Sequence, residues 1–146
     1  MSSFSNTALE LFSLNYNCAQ SVLLPFSEIL NTDRAMLEKI ACGFGGGMGR
    51  LQKTCGAVTG AFMVISLYTA NTTPDHDTCT ELVRTRIKAF HRQFIALHGH
   101  SDCRDLLGHD VNTETGAKYI REHNLYDRVC VPCVESAVKI LQEMIT

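Results

Sequence analysis

CGAVTGAFMVISLYTA, residues 55–70, is the stretch that decides the fold. It carries no charged side chain, yet small and polar residues interrupt it before it reaches the roughly 20 mostly apolar residues that a membrane span needs. Gly56 and Gly60 lie four residues apart, on one face of a helix, where they let another helix approach closely. We therefore expect a buried central apolar helix over about 55–70 in a soluble protein without a membrane span.

The segments around this stretch are also predicted to be helical, because apolar residues recur with helical spacing and no segment alternates as a strand does. We expect helices over 4–14, 18–30 (bent by Pro25), 33–42, from 73 or 78 to 98, 103–107, 113–123 and from 130 onwards. The expected stripes are Val83, Ile87, Phe90, Phe94 and Leu97 in the long helix, and Val134, Val138, Leu141 and Ile145 in the last. No linker or repeat divides the sequence, so residues 1–146 are predicted to form a single-domain, all-α, multi-helix bundle.

Composition narrows the functional class. The 146 residues carry a formal net charge of -2 and no basic run, which argues against a nucleic-acid partner. There are seven cysteines and no export signal is recognisable, so the cytoplasm is the expected location. Cysteines in that setting indicate redox chemistry or metal binding, and an odd number argues against a fully paired disulfide framework.

Four cysteine positions are predicted to lie at helix starts. They are Asn17-Cys18, Thr54-Cys55, Ser101-Asp102-Cys103 and Cys130-Val-Pro-Cys133. The unpaired N–H groups and the dipole of a helix N-terminus stabilise a thiolate, the form that attacks disulfides and binds metals. Residues three apart share a helix face, so Cys130 and Cys133 are expected to reach each other. Cys130, nearer the helix start, is then expected to attack and Cys133 to resolve.

The remaining polar features are weaker. Cys42 is expected at a helix C-terminus, where the dipole disfavours a thiolate, so it is interpreted as structural. Cys79 also fits the pattern of reactive thiols poorly. The glycine-rich segment 43–49, followed by Arg50, lacks the Lys-Ser/Thr ending of a P-loop and is interpreted as a flexible connection beside Cys55. The histidines are expected on the surface, with His98-Gly-His100 the local group nearest Cys103.

The cysteine pattern resembles the C_GCAxxG_C_C family, whose label is that of redox-active proteins with spaced cysteines. The resemblance lies in Tyr16-Asn-Cys-Ala-Gln-Ser-Val22, Gly45-Gly-Gly-Met-Gly49, Cys55-Gly-Ala-Val-Thr-Gly60, Cys103-Arg-Asp-Leu-Leu-Gly108 and the terminal cysteine-containing helix. It implies a small helical protein with Cys18, Cys55 and Cys103 as family cysteines, and with Cys130 or Cys133 as the last. A related domain occurs in some multihaem cytochromes with an iron–sulfur centre, although Val134 excludes a Cys-x-x-Cys-His haem attachment here.

Three functions remain open. In the first, the thiols of Cys18, Cys55, Cys103, Cys130 and Cys133 undergo reversible thiol–disulfide exchange or electron transfer, with a redox protein or a small thiol as partner. In the second, Cys18, Cys55, Cys103 and Cys130 hold zinc or an iron–sulfur cluster, for which four thiols are enough. In the third, the chain is an interaction module whose cysteines only pack. A homo-oligomer is compatible with each.

Overall fold

The fold is all-α, as predicted, in a computed structural model that describes residues 3–145. No strand occurs among those residues; the one β-type pairing there is an isolated bridge between Thr54 and Asp102. The α-helices are α1 (Ser3–Ser13), α2 (Cys18–Leu23), α3 (Arg34–Ala41), α4 (Gly56–Thr72), α5 (His76–His98), α6 (Cys103–Leu107), α7 (Glu114–Glu122) and α8 (Val131–Ile145). None of the helices described is both long and apolar enough to cross a bilayer.

Two glycines set the distance between α2 and α4. A Cβ placed on Gly60 would lie 2.7 Å from the carbonyl oxygen of Ala19, and one placed on Gly56 would lie 3.0 Å from the Ala19 nitrogen. Any larger residue would therefore force the two backbones apart. The prediction that these glycines allow close approach of a second helix is confirmed, and α2 is that helix.

Helix α4 packs against α2, α5 and α8, while α1 packs against α8 and α2. Aromatic residues fill the largest spaces between the helices. Phe26, Phe90 and Phe94 are fully buried, and burial of each such side chain stabilises the fold by about 1.5–3 kcal/mol. The predicted stripe of α8 is confirmed, because all of its members are buried: Val134, Val138, Leu141 and Ile145.

The long helix α5 begins at His76, between the two predicted starts. The side chain of Asp75 caps it by accepting a hydrogen bond from the Thr78 nitrogen. Phe90 and Phe94 are buried as predicted, but the placement of Leu97 on the buried stripe is wrong, since 63% of its surface is exposed. Three residues connect α4 to α5, and α5 is the longer helix by six residues, or about 9 Å. The last turns of α5, which include Leu97, therefore extend past the start of α4.

The helix predicted over 18–30 is shorter than expected. Regular α2 ends at Leu23 and continues as a 3₁₀ turn over Leu24–Phe26, with Pro25 in its first turn. Proline has no N–H and its ring clashes with the carbonyl four residues earlier, so Pro25 ends the α-helix instead of bending it.

The glycine-rich segment folds back on itself. Five successive residues, 46–50, have positive φ, a left-handed path that Gly46, Gly47 and Gly49 make accessible. The backbone nitrogens of Gly49 and Lys53 donate to the carbonyls of Gly43 and Gly47, at 2.8 and 3.0 Å. This turn returns the chain from the end of α3 to the start of α4.

Candidate functional site

The five cysteines predicted as site residues line one cavity of about 730 Å³. They come from four separate parts of the chain: Cys18 from α2, Cys55 from the start of α4, Cys103 from α6, and Cys130 and Cys133 from the last helical segment. The glycine-rich turn forms another part of the wall, through Gly45, Gly46, Gly47 and Gly49. The expectation that this segment flanks Cys55 is thus confirmed.

Asn17 fixes the position of Cys18. Its side chain accepts from the Gln20 nitrogen at 2.8 Å, while Gln20 Oε1 accepts from the Asn17 nitrogen at 3.1 Å, a complete capping box. Asn17 Nδ2 also donates to the carbonyls of Ala41 and Cys42, both at 3.1 Å. One side chain therefore caps the start of α2 and satisfies carbonyls at the end of α3, which holds Cys18 at the cavity wall.

Cys55 and Cys103 are held together by the backbone around the Thr54–Asp102 bridge. The Cys55 nitrogen donates to the Ser101 carbonyl at 2.8 Å, and the Cys103 nitrogen donates to the Lys53 carbonyl at 2.7 Å. The two cysteines lie 48 positions apart in the sequence, so nothing in either local motif indicates this pairing. The starts of α4 and α6 consequently form a single unit.

Gln52 is part of the site, although no sequence motif points to it. The residue has φ +56° and is 5% exposed. Its Nε2 lies 3.9 Å from Cys103 Sγ and donates to the His109 carbonyl at 3.0 Å, and its Oε1 accepts from the Val111 nitrogen at 2.9 Å. Gln52 thus connects the Thr54–Asp102 bridge to the loop after α6. Its burial was not predictable, because a glutamine between Leu51 and Lys53 is part of no apolar pattern.

Four of the five predicted site thiols lie in two pairs, and Cys103 belongs to neither. Cys133 lies against Cys55, and Cys18 lies against Cys130. All of the cysteines are free thiols in the structure. The two pairs meet on the last helical segment, where Cys130 and Cys133 are three residues apart. Each member of the predicted Cys130–Cys133 pair thus lies against a cysteine from another part of the chain.

Cys55 carries the thiol whose pKa is lowered. The largest cause is the Cys133 thiol, which donates its proton to the Cys55 sulfur and favours the thiolate. Burial opposes this effect, but the backbone N–H group of Ala57 in the first turn of α4 adds to it, while that of Val58 already donates to the Cys55 carbonyl at 2.9 Å. The predicted cap Thr54 is not used, because Cys55 itself occupies the N-cap position. The helix start thus contributes to the lowered pKa of Cys55, but less than Cys133 does.

The expectation of a thiolate stabilised at a helix start is wrong at Cys18 and Cys103. Donation to Cys130, followed by burial, raises the pKa of Cys18, and burial raises the pKa of Cys103 to about 11. At α6 the first two N–H groups already donate to the carbonyls of Lys53 and Gln52, so they are not available to a thiolate. Donation to Cys55, together with burial, raises the pKa of Cys133 far above its usual range.

Cys130 does not lie at a helix start. A π-helical turn, Tyr126–Cys130, runs directly into α8, and the Val131 nitrogen donates to the Tyr126 carbonyl. The N–H group next to Cys130 is thus already paired, which removes the reason for expecting Cys130 to attack first. Such π-turns often mark functional sites because they shift side chains out of the regular helical path.

The other cysteines and the histidines lie at the edges of this arrangement or away from it. Cys42 is exposed at the cavity rim, while Cys79 on α5 does not line the cavity. His98 packs against Phe94, and burial lowers its pKa. His91 Nε2 lies 3.1 Å from Ser101 Oγ on the outer surface.

The spacing of the cavity thiols bears on whether they could hold a metal ion. Within residues 3–145, no three side chains of His, Cys, Asp or Glu lie close enough together to hold one ion as they stand. Four of the thiols lie in two separate pairs, whereas a tetrahedral ion needs three or four sulfurs around one point. Cys18, Cys55, Cys103 and Cys130 thus share a cavity without forming a preassembled ligand set.

Comparison with known sequences identifies the family of the chain. The family model described as "Putative redox-active protein (C_GCAxxG_C_C)" matches residues 16–144. An uncharacterized protein of Archaeoglobus fulgidus is 29% identical over 106 residues, which cover 68% of this chain and 70% of that protein. No solved structure matches the chain significantly. Since the family model spans nearly all of the sequence and includes all five cavity cysteines, the chain belongs to the C_GCAxxG_C_C family.

Proposed function

We propose that the protein carries out reversible thiol–disulfide exchange, with Cys55 as the attacking thiolate and Cys133 as the resolving thiol. The observation that carries this proposal is the contact between the two thiols, which lowers the pKa of Cys55 and raises that of Cys133. A nucleophile needs its thiolate form, and a resolving thiol must stay protonated until the mixed disulfide has formed. This pair supplies both properties.

The exchange is written for a disulfide RSSR. The Cys55 thiolate attacks one sulfur, which forms the Cys55–S–S–R bond and releases RS⁻. Cys133 gives its proton to RS⁻, and the resulting thiolate attacks Cys55 Sγ, which releases a second RS⁻ and leaves a Cys55–Cys133 disulfide. The protein dithiol is oxidised by two electrons and RSSR is reduced to RSH and RS⁻, so atoms and charge balance.

Cys18 and Cys130 form a second dithiol that we propose can accept the disulfide from the first. Cys130 lies one helical turn from Cys133, so its thiolate can attack Cys133 Sγ and release the Cys55 thiolate. Cys18 then attacks Cys130 Sγ, which leaves a Cys18–Cys130 disulfide and a reduced Cys133. Cys103, kept neutral by burial, would remain a wall residue of the cavity.

Metal binding is the second candidate, because five thiols line one cavity. Cys18, Cys55, Cys103 and Cys130 would be the ligands of zinc or of an iron–sulfur cluster, and their side chains would have to rotate out of the pairs described above. Visible absorption and metal analysis of protein prepared without oxygen separate the two candidates, since a dithiol protein is colourless and free of metal. Re-reduction of the disulfides requires a reducing compartment, so the cytoplasm stays our proposed location.

The first test traps the mixed disulfide. In a background without Cys42 and Cys79, Cys133→Ser should accumulate one adduct on Cys55 after treatment with 2-hydroxyethyl disulfide, whereas the parent should release it and form Cys55–Cys133. Cys55→Ser should form neither product, and Cys103→Ser serves as the matched control that retains both partners. An adduct located on Cys130 by peptide mass spectrometry, with Cys55 unmodified, would refute the proposed order of attack.

A further inference from the structure

We propose that the disulfide accepted by this cavity is a small molecule bearing an α-amino-acid group, whose carboxylate is bound by Arg50 and whose ammonium group is bound by Asp127. The inference rests on the exchange chemistry proposed above, and it concerns which disulfides reach Cys55. Two independent observations support it: the burial of the attacking pair, and the identity of the charged residues that line the cavity.

The attacking pair lies at the bottom of the cavity. Cys55 is 6% exposed and Cys133 is 1% exposed. Exchange requires the attacking sulfur to touch the target sulfur, so the target must enter the cavity. The volume of about 730 Å³ lies within the range of small-molecule sites, roughly 300–1,000 Å³. A disulfide buried in the core of a folded protein cannot make that contact unless its own chain unfolds.

Arg50 and Asp127 are the charged residues that line the cavity among those described, and they have opposite signs. The ion pairs found in residues 3–145 are Arg84–Glu81 and Lys139–Glu135, so neither cavity charge is neutralised by a protein partner there. Arg50 lies close enough to Tyr126 to oppose the burial that raises the pKa of its phenol. Asp127 follows Tyr126 in the chain and lines the same cavity as Arg50.

The remaining wall described carries no further charged side chain. Glycines 45, 46, 47 and 49 leave space beside Arg50, and the rest combines apolar side chains such as Phe12 and Val129 with uncharged polar ones such as Ser13 and Asn15. A ligand with one anionic and one cationic group satisfies both Arg50 and Asp127. A doubly anionic disulfide meets repulsion from Asp127, and a doubly cationic one meets repulsion from Arg50. The charge pattern therefore favours a zwitterion such as an amino-acid disulfide.

The test measures single-turnover oxidation of the reduced protein by disulfides that differ in charge. The probes are cystine (zwitterionic), cystamine (cationic), dithiodiglycolate (anionic), 2-hydroxyethyl disulfide (neutral) and insulin as a protein disulfide. Each rate is divided by the rate of the same disulfide with dithiothreitol, because the pKa of the leaving thiol alters exchange rates by itself. We expect cystine to give the highest normalised rate and insulin the lowest.

Charge variants test whether Arg50 and Asp127 bind the disulfide. Arg50→Gln should lower the rate with cystine by about fivefold, the upper range for an exposed ion pair, and should raise the rate with cystamine. Asp127→Asn should lower the rate with cystine by a similar factor and raise the rate with dithiodiglycolate. Arg128→Gln and Asp105→Asn, which remove charges outside the cavity lining, are the matched controls and should leave all rates unchanged.

Two outcomes would overturn the inference alone: insulin reacting as fast as cystine, or equal normalised rates for the four small disulfides in the parent and both cavity variants. A protein that reacts with none of the probes, including the neutral one, would instead refute the exchange chemistry itself. The neutral disulfide thus separates a failure of recognition from a failure of the proposed function.

Discussion

The Cβ of Cys18 lies 3.0 Å from the point where a Cβ on Gly56 would stand. This contact places the first residue of α2 directly against the first residue of α4, beside Cys55. The glycine that follows Cys55 is therefore required by the position of a second cavity thiol as well as by the packing of two helices. The Cys55-Gly56 pair in the sequence thus has a steric reason, because a side chain larger than glycine at position 56 would collide with Cys18.

Replacement of Gly60 by alanine should destabilise the protein by about 1–3 kcal/mol, the usual cost of overpacking. The new Cβ would lie 2.7 Å from the Ala19 carbonyl oxygen, a backbone atom that cannot move without shifting α2. The gain in helix propensity from glycine to alanine, about 1 kcal/mol, offsets only part of this cost. Urea denaturation in the presence of a reductant measures the difference in the free energy of unfolding.

Gly43→Ala is the matched control for this substitution. A Cβ on Gly43 would meet nothing within 4 Å, and the residue lies in a 3₁₀ turn without positive φ. We expect its free energy of unfolding to stay unchanged or to rise slightly. Equal stabilities for the Gly43 and Gly60 variants would show that α2 and α4 do not approach as closely as described.

The reactivity of Cys55 should depend on Cys133 through the shared proton. The pKa of Cys55 is lowered from 9.0, so its alkylation rate should reach half-maximum below pH 9. Cys133→Ala removes the donor and should move that midpoint to higher pH, whereas Cys133→Ser keeps a hydroxyl donor and should restore part of the shift. Peptide mass spectrometry after reaction with a small alkylating reagent identifies the modified thiol. Identical midpoints for the alanine and serine variants would mean that the hydrogen bond is not the cause.

Stability should fall at alkaline pH because of Cys103. Burial raises its pKa from 9.0 in the unfolded chain to about 11 in the folded one, so the folded state binds more protons between those values. The stabilisation is complete below about pH 9 and is lost as the pH rises through about 11. Cys103→Ala should therefore lose less stability than the parent between pH 9 and 11, measured by urea denaturation under reductant. Cys79→Ala removes a cysteine outside the cavity and should follow the parent curve.

Local signals made much of the fold predictable from the sequence. Asn17 and Gln20 form their capping box within four residues, and the spacing of Val134 and Val138 identifies the buried face of α8, so neither depends on distant parts of the chain. The five predicted site cysteines line one cavity, but the lowered thiol pKa expected at a helix start is found at Cys55 and not at Cys18 or Cys103. Leu97 was misplaced because helical periodicity does not report where the neighbouring helix begins.

The pairing of thiols was not predictable, because it depends on contacts between distant segments. The Thr54–Asp102 bridge positions Cys55 and Cys103, and a single bridged residue pair leaves no alternating pattern in the sequence. Gln52 gains its buried place from the same bridge and from the preceding left-handed turn. The capping pattern was shared by several cysteines, but only the tertiary contacts decide which N–H groups remain available to a thiolate.

Titration of the reduced protein with a disulfide should produce two disulfides per chain. The pairs Cys55–Cys133 and Cys18–Cys130 can each give up two electrons, so four of the cavity thiols should disappear in a background lacking Cys42 and Cys79. Cys18→Ser removes one member of the second pair and should halve the loss, and Cys103→Ser is the control that should leave it unchanged. Thiol counting gives the stoichiometry and peptide mapping gives the connectivity. A single Cys130–Cys133 disulfide, with Cys18 and Cys55 still reduced, would contradict the cross-cavity pairing. The two thiols that are neighbours in the sequence would then be oxidised in preference to the two pairs that the fold brings into contact.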